Sequence, residues 1–207
     1  MELLTQIQLT EAQQEAHLRG EIVRISATWD EFLDFLETTN YRAEYTNHEI
    51  IIMGLAKALH EWLVIRIATL LSNLYLGENF FVYGSNIGIQ SPAKPRYHNA
   101  DVTVIEGKAD FYGNSKSIIT NPYLIVEVLS EGTKEYDLNE KLEDYQRMTS
   151  LQHLVYVDGS TKSIKTYSRT ADPRAWLMTF YEEPEDVVLL DKFTVKLSAI
   201  FANMPSF

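Results

Sequence analysis

The chain has 207 residues, 45% of them hydrophobic and 23% charged, enough for one domain with a real core and short of a clear two. It has no cysteine, which excludes disulfides, thiolate metal sites and a thiol nucleophile. A formal net charge of −11 is a poor match to a polyanion held by a broad basic face, and it suits a site that gathers cations.

No run of about 18 apolar residues suggests a membrane span. The opening "MELLTQIQLTEAQQ" lacks a basic start followed by an apolar stretch, so no secretory signal is expected and the cytoplasm is the default compartment. Residues 1–20 are polar and end at Gly20; they read as an N-terminal arm before a single domain over residues 21–207.

In "TWDEFLDFLETT", Thr28 and Glu31 have capping-box spacing, and Phe32, Phe35 and Leu36 follow at helical intervals. "YRAEY" and "HEIIIM" read as a hairpin joined near Asn47. Between Gly54 and Gly77 a broad apolar stripe predicts a helix from about Leu55 to Leu76. "FFVYG" and "NIGIQ" are strand-like, with a turn at Gly84 and Ser85. "SPAKPRYHN" reads as loop, "DVTVIE" as strand and "GKADFYGNSKSIITNP" as surface loop. Strand, helix and strand follow over "YLIVEVLSEGTKEYDLNEKLEDYQ" and "HLVYVD". The β-like segments "SIKTYS", "AWLMTFY" and "VVLL" close the chain. Helices and strands interleave, which predicts one α/β domain with a mixed sheet.

Two charged residues sit where a core belongs. In "YLIVEVL", Leu124, Val126 and Val128 point one way and Ile125 and Glu127 the other; both sets are apolar but for the glutamate. A buried, unpaired carboxylate costs several kcal/mol or takes up a proton. The bland reading is a partner cation or an exit at the sheet edge. Asp101 opens the strand "DVTVIE"; beside Glu127 it would form a carboxylate pair, for which a hard cation such as Mg²⁺ is the natural partner. On the next helix, Asp137 and Glu140 read as an acidic capping box that starts it at Leu138. Lys141 then falls on the apolar stripe with Leu138, Leu142, Tyr145 and Met148. Snorkelling of its stem is the alternative to a functional role.

"HNADVTV", "NPYLIVEVLSEGTKEYDLNEKLEDYQ" and "LQHLVYVD" together resemble the Uma family of restriction-type endonucleases, within the PD-(D/E)XK nuclease superfamily. The similarity spans roughly Tyr41 to Tyr181. It implies a restriction-endonuclease-like core, a mixed β-sheet flanked by helices, and divalent-metal-dependent hydrolysis of nucleic-acid phosphodiester bonds. DNA is the expected substrate. Asp101 and Glu127, with the backbone carbonyl of Val128, would hold Mg²⁺ (or Mn²⁺). The superfamily's usual Glu-x-Lys is absent, because position 129 is Leu, and Lys141 would replace that lysine from the neighbouring helix. Ser130 and Tyr145 would support the site. Glu44 matches a recurrent acid of the first hairpin, either a third acid near the metal or a surface charge. His60 matches a frequent position but reads first as a structural histidine. Position 100 is Ala where the family has Pro. "KPRYH", residues 94–98, is a small basic loop that could touch a phosphate or simply face solvent. A homodimer is expected, because duplex cleavage needs two cuts and Trp176, Phe180 and Phe193 could form an interface as well as fill the core. The rival reading is a non-catalytic binding or interaction module that keeps the nuclease fold.

Overall fold

A computed structural model describes residues 8–91 and 95–205. Residues 1–7 of the expected arm and Lys94 of the basic loop lie outside that range. Helix α1 (Glu11–Leu18) starts at a capping box of Thr10 and Gln13, and β1 (Val23–Ser26) follows. Helix α2 (Trp29–Thr38) has the Thr28/Glu31 capping box that the spacing predicts, a feature worth about 1 kcal/mol. Strands β2 (Ala43–Thr46) and β3 (Glu49–Ile52) form the expected hairpin. Asn47 and His48 carry it with φ of 51° and 63°, the left-handed pair that a tight right-twisted hairpin requires.

Helix α3 (Ala58–Leu74) begins three residues later than the apolar stripe predicts. The Leu55 N–H donates to the His17 carbonyl at 3.1 Å, which pulls the intervening segment out of the helix. Strands β4 (Phe80–Gly84), β5 (Gly88–Gln90), β6 (Tyr97–His98), β7 (Val102–Glu106), β8 (Ile118–Ile119) and β9 (Leu124–Leu129) follow. The two-residue strands β6 and β8 fall in stretches read as loop; they are too short to show a period of two. Next, α4 (Lys134–Tyr136), a π-helical turn (Asp137–Lys141) and α5 (Leu142–Gln146) run as one continuous helical segment. The helix therefore starts well before Leu138, and Asp137 is not its cap. Strands β10 (His153–Asp158), β11 (Ser163–Arg169), β12 (Trp176–Tyr181), β13 (Val187–Leu190) and β14 (Phe193–Lys196) precede a final turn, α6 (Leu197–Ile200).

Two six-stranded mixed sheets result, where the sequence pattern suggests one. The first has the order β12-β11-β10-β9-β7-β4, with β9 and β10 parallel and the other pairs antiparallel. The second has the order β1-β3-β2-β6-β5-β8. Strands β4 and β5 flank the Gly84–Ser85 turn yet belong to different sheets, so the chain crosses there from one to the other.

Leu63, Val64, Ile67 and Leu71 of α3 cover one face of the first sheet, against Val102, Val104, Leu124, Val126 and Val128. Tyr145 and Met148 cover the opposite face, against Ile125 and Leu154. Strand β9 is thus buried on both sides, as its two apolar faces predict. On the second sheet, Phe32 and Phe35 of α2 pack on Tyr45, Ile50 and Ile52. Each such side chain contributes about 1.5–3 kcal/mol. Among the described residues no helix is long and apolar enough to cross a membrane.

Candidate active site

The site lies where the two sheets approach each other. Strands β7 and β9 pair antiparallel with Val102 opposite Val126. One step outward, that register sets Asp101 across from Glu127 with both side chains on one face of the sheet. They are 3% and 2% exposed. The Oδ2 atom of Asp101 accepts the Val128 N–H at 2.8 Å and lies 3.1 Å from Nε2 of His60. Its Oδ1 accepts from Arg42 at 3.1 Å. Burial pushes the Asp101 carboxyl up, but the His60 hydrogen bond and the Arg42 charge outweigh it and hold the group below its ordinary range.

Lys141 faces this pair from the π-helical turn. Such a turn carries an extra residue per hydrogen-bonded loop and marks functional sites often enough to be noticed. Here it sets Asp137 and Lys141 on the same inward side. The ammonium, 1% exposed, lies 3.0 Å from Glu127 Oε1, 3.0 Å from Glu44 Oε1 and 3.1 Å from Asp137 Oδ1. One N–H donates to Glu127 Oε1, while Glu44 and Asp137 stand at ion-pair distance and Asp137 Oδ1 accepts no hydrogen bond. Burial opposes its charge, yet the three acids raise its pKa well above the ordinary lysine value. The Tyr145 hydroxyl donates to the same Glu127 Oε1 at 2.6 Å. Burial dominates at Glu127. With repulsion from Asp101, Asp137 and Glu44 it overrides Lys141 and pushes the pKa to about 8.

Behind Lys141 runs a second buried chain. Glu44 Oε2 meets His98 Nδ1 at 3.2 Å, and His98 Nε2 meets Asp144 Oδ2 at 3.0 Å. The Tyr136 hydroxyl and the Asn99 N–H also donate to Glu44, at 2.8 Å and 3.1 Å. Burial raises Glu44, but Lys141, His98 and Arg42 bring it down to about 2. Burial works against a charged His98, and the hydrogen bonds to Asp144 and Glu44 raise its pKa regardless.

The sequence-derived residues Asp101, Glu127, Val128, Ser130 and Lys141 line one cleft of about 480 Å³, together with His60. Glu44 and Tyr145 lie behind it through Lys141 and Glu127. Ser130 turns its hydroxyl to Thr133 at 2.9 Å and not to the acids. Arg42, Asp137, His98 and Asp144 are the participants that sequence reasoning missed. Only Asp137 carried a signal, its i,i+4 spacing to Lys141. Among the described residues no three His, Cys, Asp or Glu side chains are placed to enclose a metal ion. Asp101 and Glu127 are the two carboxylates at the cleft that could hold a cation, beside Val128. That fits a hard cation such as Mg²⁺, which keeps several waters and binds through one or two carboxylates. Both protein hydrogen bonds to Glu127 fall on Oε1, which leaves Oε2 for a proton or a cation.

A family model described as "Putative restriction endonuclease" matches residues 29–202. Two uncharacterized proteins of Synechocystis sp. are similar to this chain. One is 31% identical over 72% of this chain and 84% of its own length; the other is 29% identical over 77% and 83%. The fold is similar to a crystal structure from Anabaena variabilis, described as a putative nuclease belonging to DUF820. The TM-score is 0.69 at 16% identity, covering 84% of this chain and 97% of that one.

Proposed function

From the premise that this chain belongs to the Uma2 family of restriction-type endonucleases, we propose that it hydrolyses nucleic-acid phosphodiester bonds, with DNA the first substrate to try, using Mg²⁺ or Mn²⁺ in the cytoplasm. The observation that carries the reading is the burial of Asp101, Glu127 and Lys141 together at the floor of one cleft. Ionisable groups in a core cost several kcal/mol each to desolvate when charged, and a site is the simplest return for placing three of them together.

Asp101 and Glu127, with the Val128 carbonyl, are the residues that would hold the metal. When bound, the ion supplies Lewis-acid polarisation of a phosphoryl oxygen and lowers the pKa of a water. Asp101, held ionised by Arg42 and His60, keeps a full negative charge available to a cation. Lys141 stays protonated among its acids and offsets the negative charge that grows on the phosphorus centre. Tyr145 fixes the rotamer of Glu127 through its 2.6 Å hydrogen bond, and Glu44 holds Lys141 through a 3.0 Å ion pair. A homodimer remains part of the proposal: β12 is an edge strand of the first sheet and exposes Leu177 and Phe180.

A second reading has its own support. Both oxygens of Asp101 already have protein partners, Arg42 on one and His60 with the Val128 N–H on the other. A non-catalytic binding module would keep that arrangement undisturbed. Incubating supercoiled and single-stranded DNA with the purified chain and Mn²⁺, with and without chelator, separates the two. Chelator-sensitive nicking supports hydrolysis, and its absence on every substrate favours the binding module.

A further inference from the structure

Gly20, Gly54 and Gly132 come from three separated parts of the chain and meet at the mouth of the cleft. Gly20 has φ of 84°, a backbone conformation that side chains rarely adopt. A methyl group added at Gly54 or at Gly132 would fall inside the Gly20 carbonyl group. The β3–α3 loop and the β9–α4 loop are therefore both in backbone contact with one residue. The segment His17–Glu21 spans between them as a strap. It is anchored by the His17 carbonyl on the Leu55 N–H and by the packing of Leu9 and Ala16 in the core of the second sheet. The strap lies upstream of the residues that the family model matches, 29–202.

Behind the strap the acids sit at the bottom of a cleft of about 480 Å³, a volume that suits one small ligand unit. Duplex DNA is stiff over roughly 150 base pairs, and bending a short site by about 40–90° into a narrow cleft costs about 1–6 kcal/mol. A single strand bends at every nucleotide. The rim cations also favour the weaker polyanion. Arg19 is paired with Glu21 at 2.7 Å and Lys57 faces Glu131 at 3.5 Å, which leaves little net positive charge to condense on a duplex.

We propose that the site takes single-stranded nucleic acid, an end or an unpaired loop, and that the Gly20 strap excludes duplex. This rests on the nucleic-acid reading above and narrows it. A site of this kind does not require two subunits for two symmetric cuts.

The test uses the full chain and a labelled oligothymidylate of about 12 nucleotides, within the range of single-strand sites, alone and annealed to its complement. Binding is read by fluorescence anisotropy in chelator, and cleavage by gel in Mn²⁺. The single strand should bind at least about tenfold more tightly than the duplex. Its affinity should fall with salt at a slope of about −1.4, the value for two phosphate contacts on a single strand. Gly132→Ala and Gly54→Ala, each checked for native circular dichroism, should shift the strap and shrink the preference. Single-strand binding without cleavage supports this inference and sinks catalysis. Equal or better handling of duplex by the wild type overturns this inference and spares catalysis. Neither binding nor cleavage of either probe overturns both. A preference unchanged in a natively folded glycine variant removes the strap as its cause.

Discussion

Lys141 Nζ and Glu127 Oε1 lie 3.0 Å apart, and neither residue exposes more than 2% of its surface. The pair is not isolated, since the same ammonium serves Glu44 and Asp137. A methionine at position 141 would preserve the stem's packing, an argument from shape for an intact fold. The structure argues otherwise, because three buried acids would lose their shared cation. Lys141→Met should cost about 3–5 kcal/mol at neutral pH, as removing one partner of a buried ion pair does. The loss should shrink in acid, where the stranded carboxylates take up protons. Urea unfolding of both proteins near pH 7 and near pH 5 checks this; a loss under about 1 kcal/mol at both would contradict it.

Stability should also report the second buried chain. His98 has a folded pKa above its ordinary 6.5, so its contribution is complete below that value and is lost as pH rises through the raised one. Glu44 runs the other way. Its folded value is about 2 against an ordinary 4.5, so its contribution is present above 4.5 and disappears as pH falls toward about 2. Between these windows the two add, which places their joint maximum on the acid side of neutrality. His98→Gln should flatten the alkaline decline in melting temperature and move the acid limb to higher pH, because Glu44 loses one of the groups that hold its pKa down. An alkaline limb identical to wild type would rule out a charged His98.

Much of this was legible because Glu127 and Lys141 each interrupt an apolar pattern, on β9 and on the helical stripe. Asp101, at a strand start, means little alone and becomes a site candidate beside Glu127 and through the family resemblance. The remainder depends on pairings that periodicity does not see. Arg42 reaches Asp101 across 59 positions and His98 reaches Glu44 across 54. His98 sits in a two-residue strand that pattern reading takes for loop. Asp137 was read as a helix cap, because a π-helical turn has no signature that separates it from an α-helical start. The second sheet was hidden for the same reason: β6 and β8 are bridging strands of two residues each, while α2, α3 and the first hairpin have long or strongly capped patterns.

Metal should bind to the folded chain and stabilise it. At about 100 times its dissociation constant, Mg²⁺ or Mn²⁺ would add about 2.7 kcal/mol, a rise of roughly 5–10 °C for a chain of this size. Asp101→Asn should lose most of that rise. A wild-type melting temperature indifferent to both ions would remove the metal from the account.

The apolar side chains on β12 should matter for assembly. Leu177 and Phe180 are 62% and 48% exposed on an edge strand, a combination that invites pairing with a second copy. Light scattering should give the mass of two chains at micromolar concentration, and Phe180→Glu should give one. A wild-type mass of a single chain would leave that edge without the partner assigned to it.

Asp101, Glu127 and Lys141 are proposed to form a metal-dependent hydrolytic site. Its most direct test is the initial rate of single-stranded DNA cleavage in Mn²⁺ by the wild type, Asp101→Asn and Lys141→Met, measured alongside Mn²⁺ binding by calorimetry. Cleavage by the wild type alone is expected. Asp101→Asn should lose cleavage and metal together. Lys141→Met, at a temperature where it remains folded, should lose cleavage while retaining most of its metal binding. Equal rates for the wild type and a folded Lys141→Met, or metal binding untouched in Asp101→Asn, would contradict it.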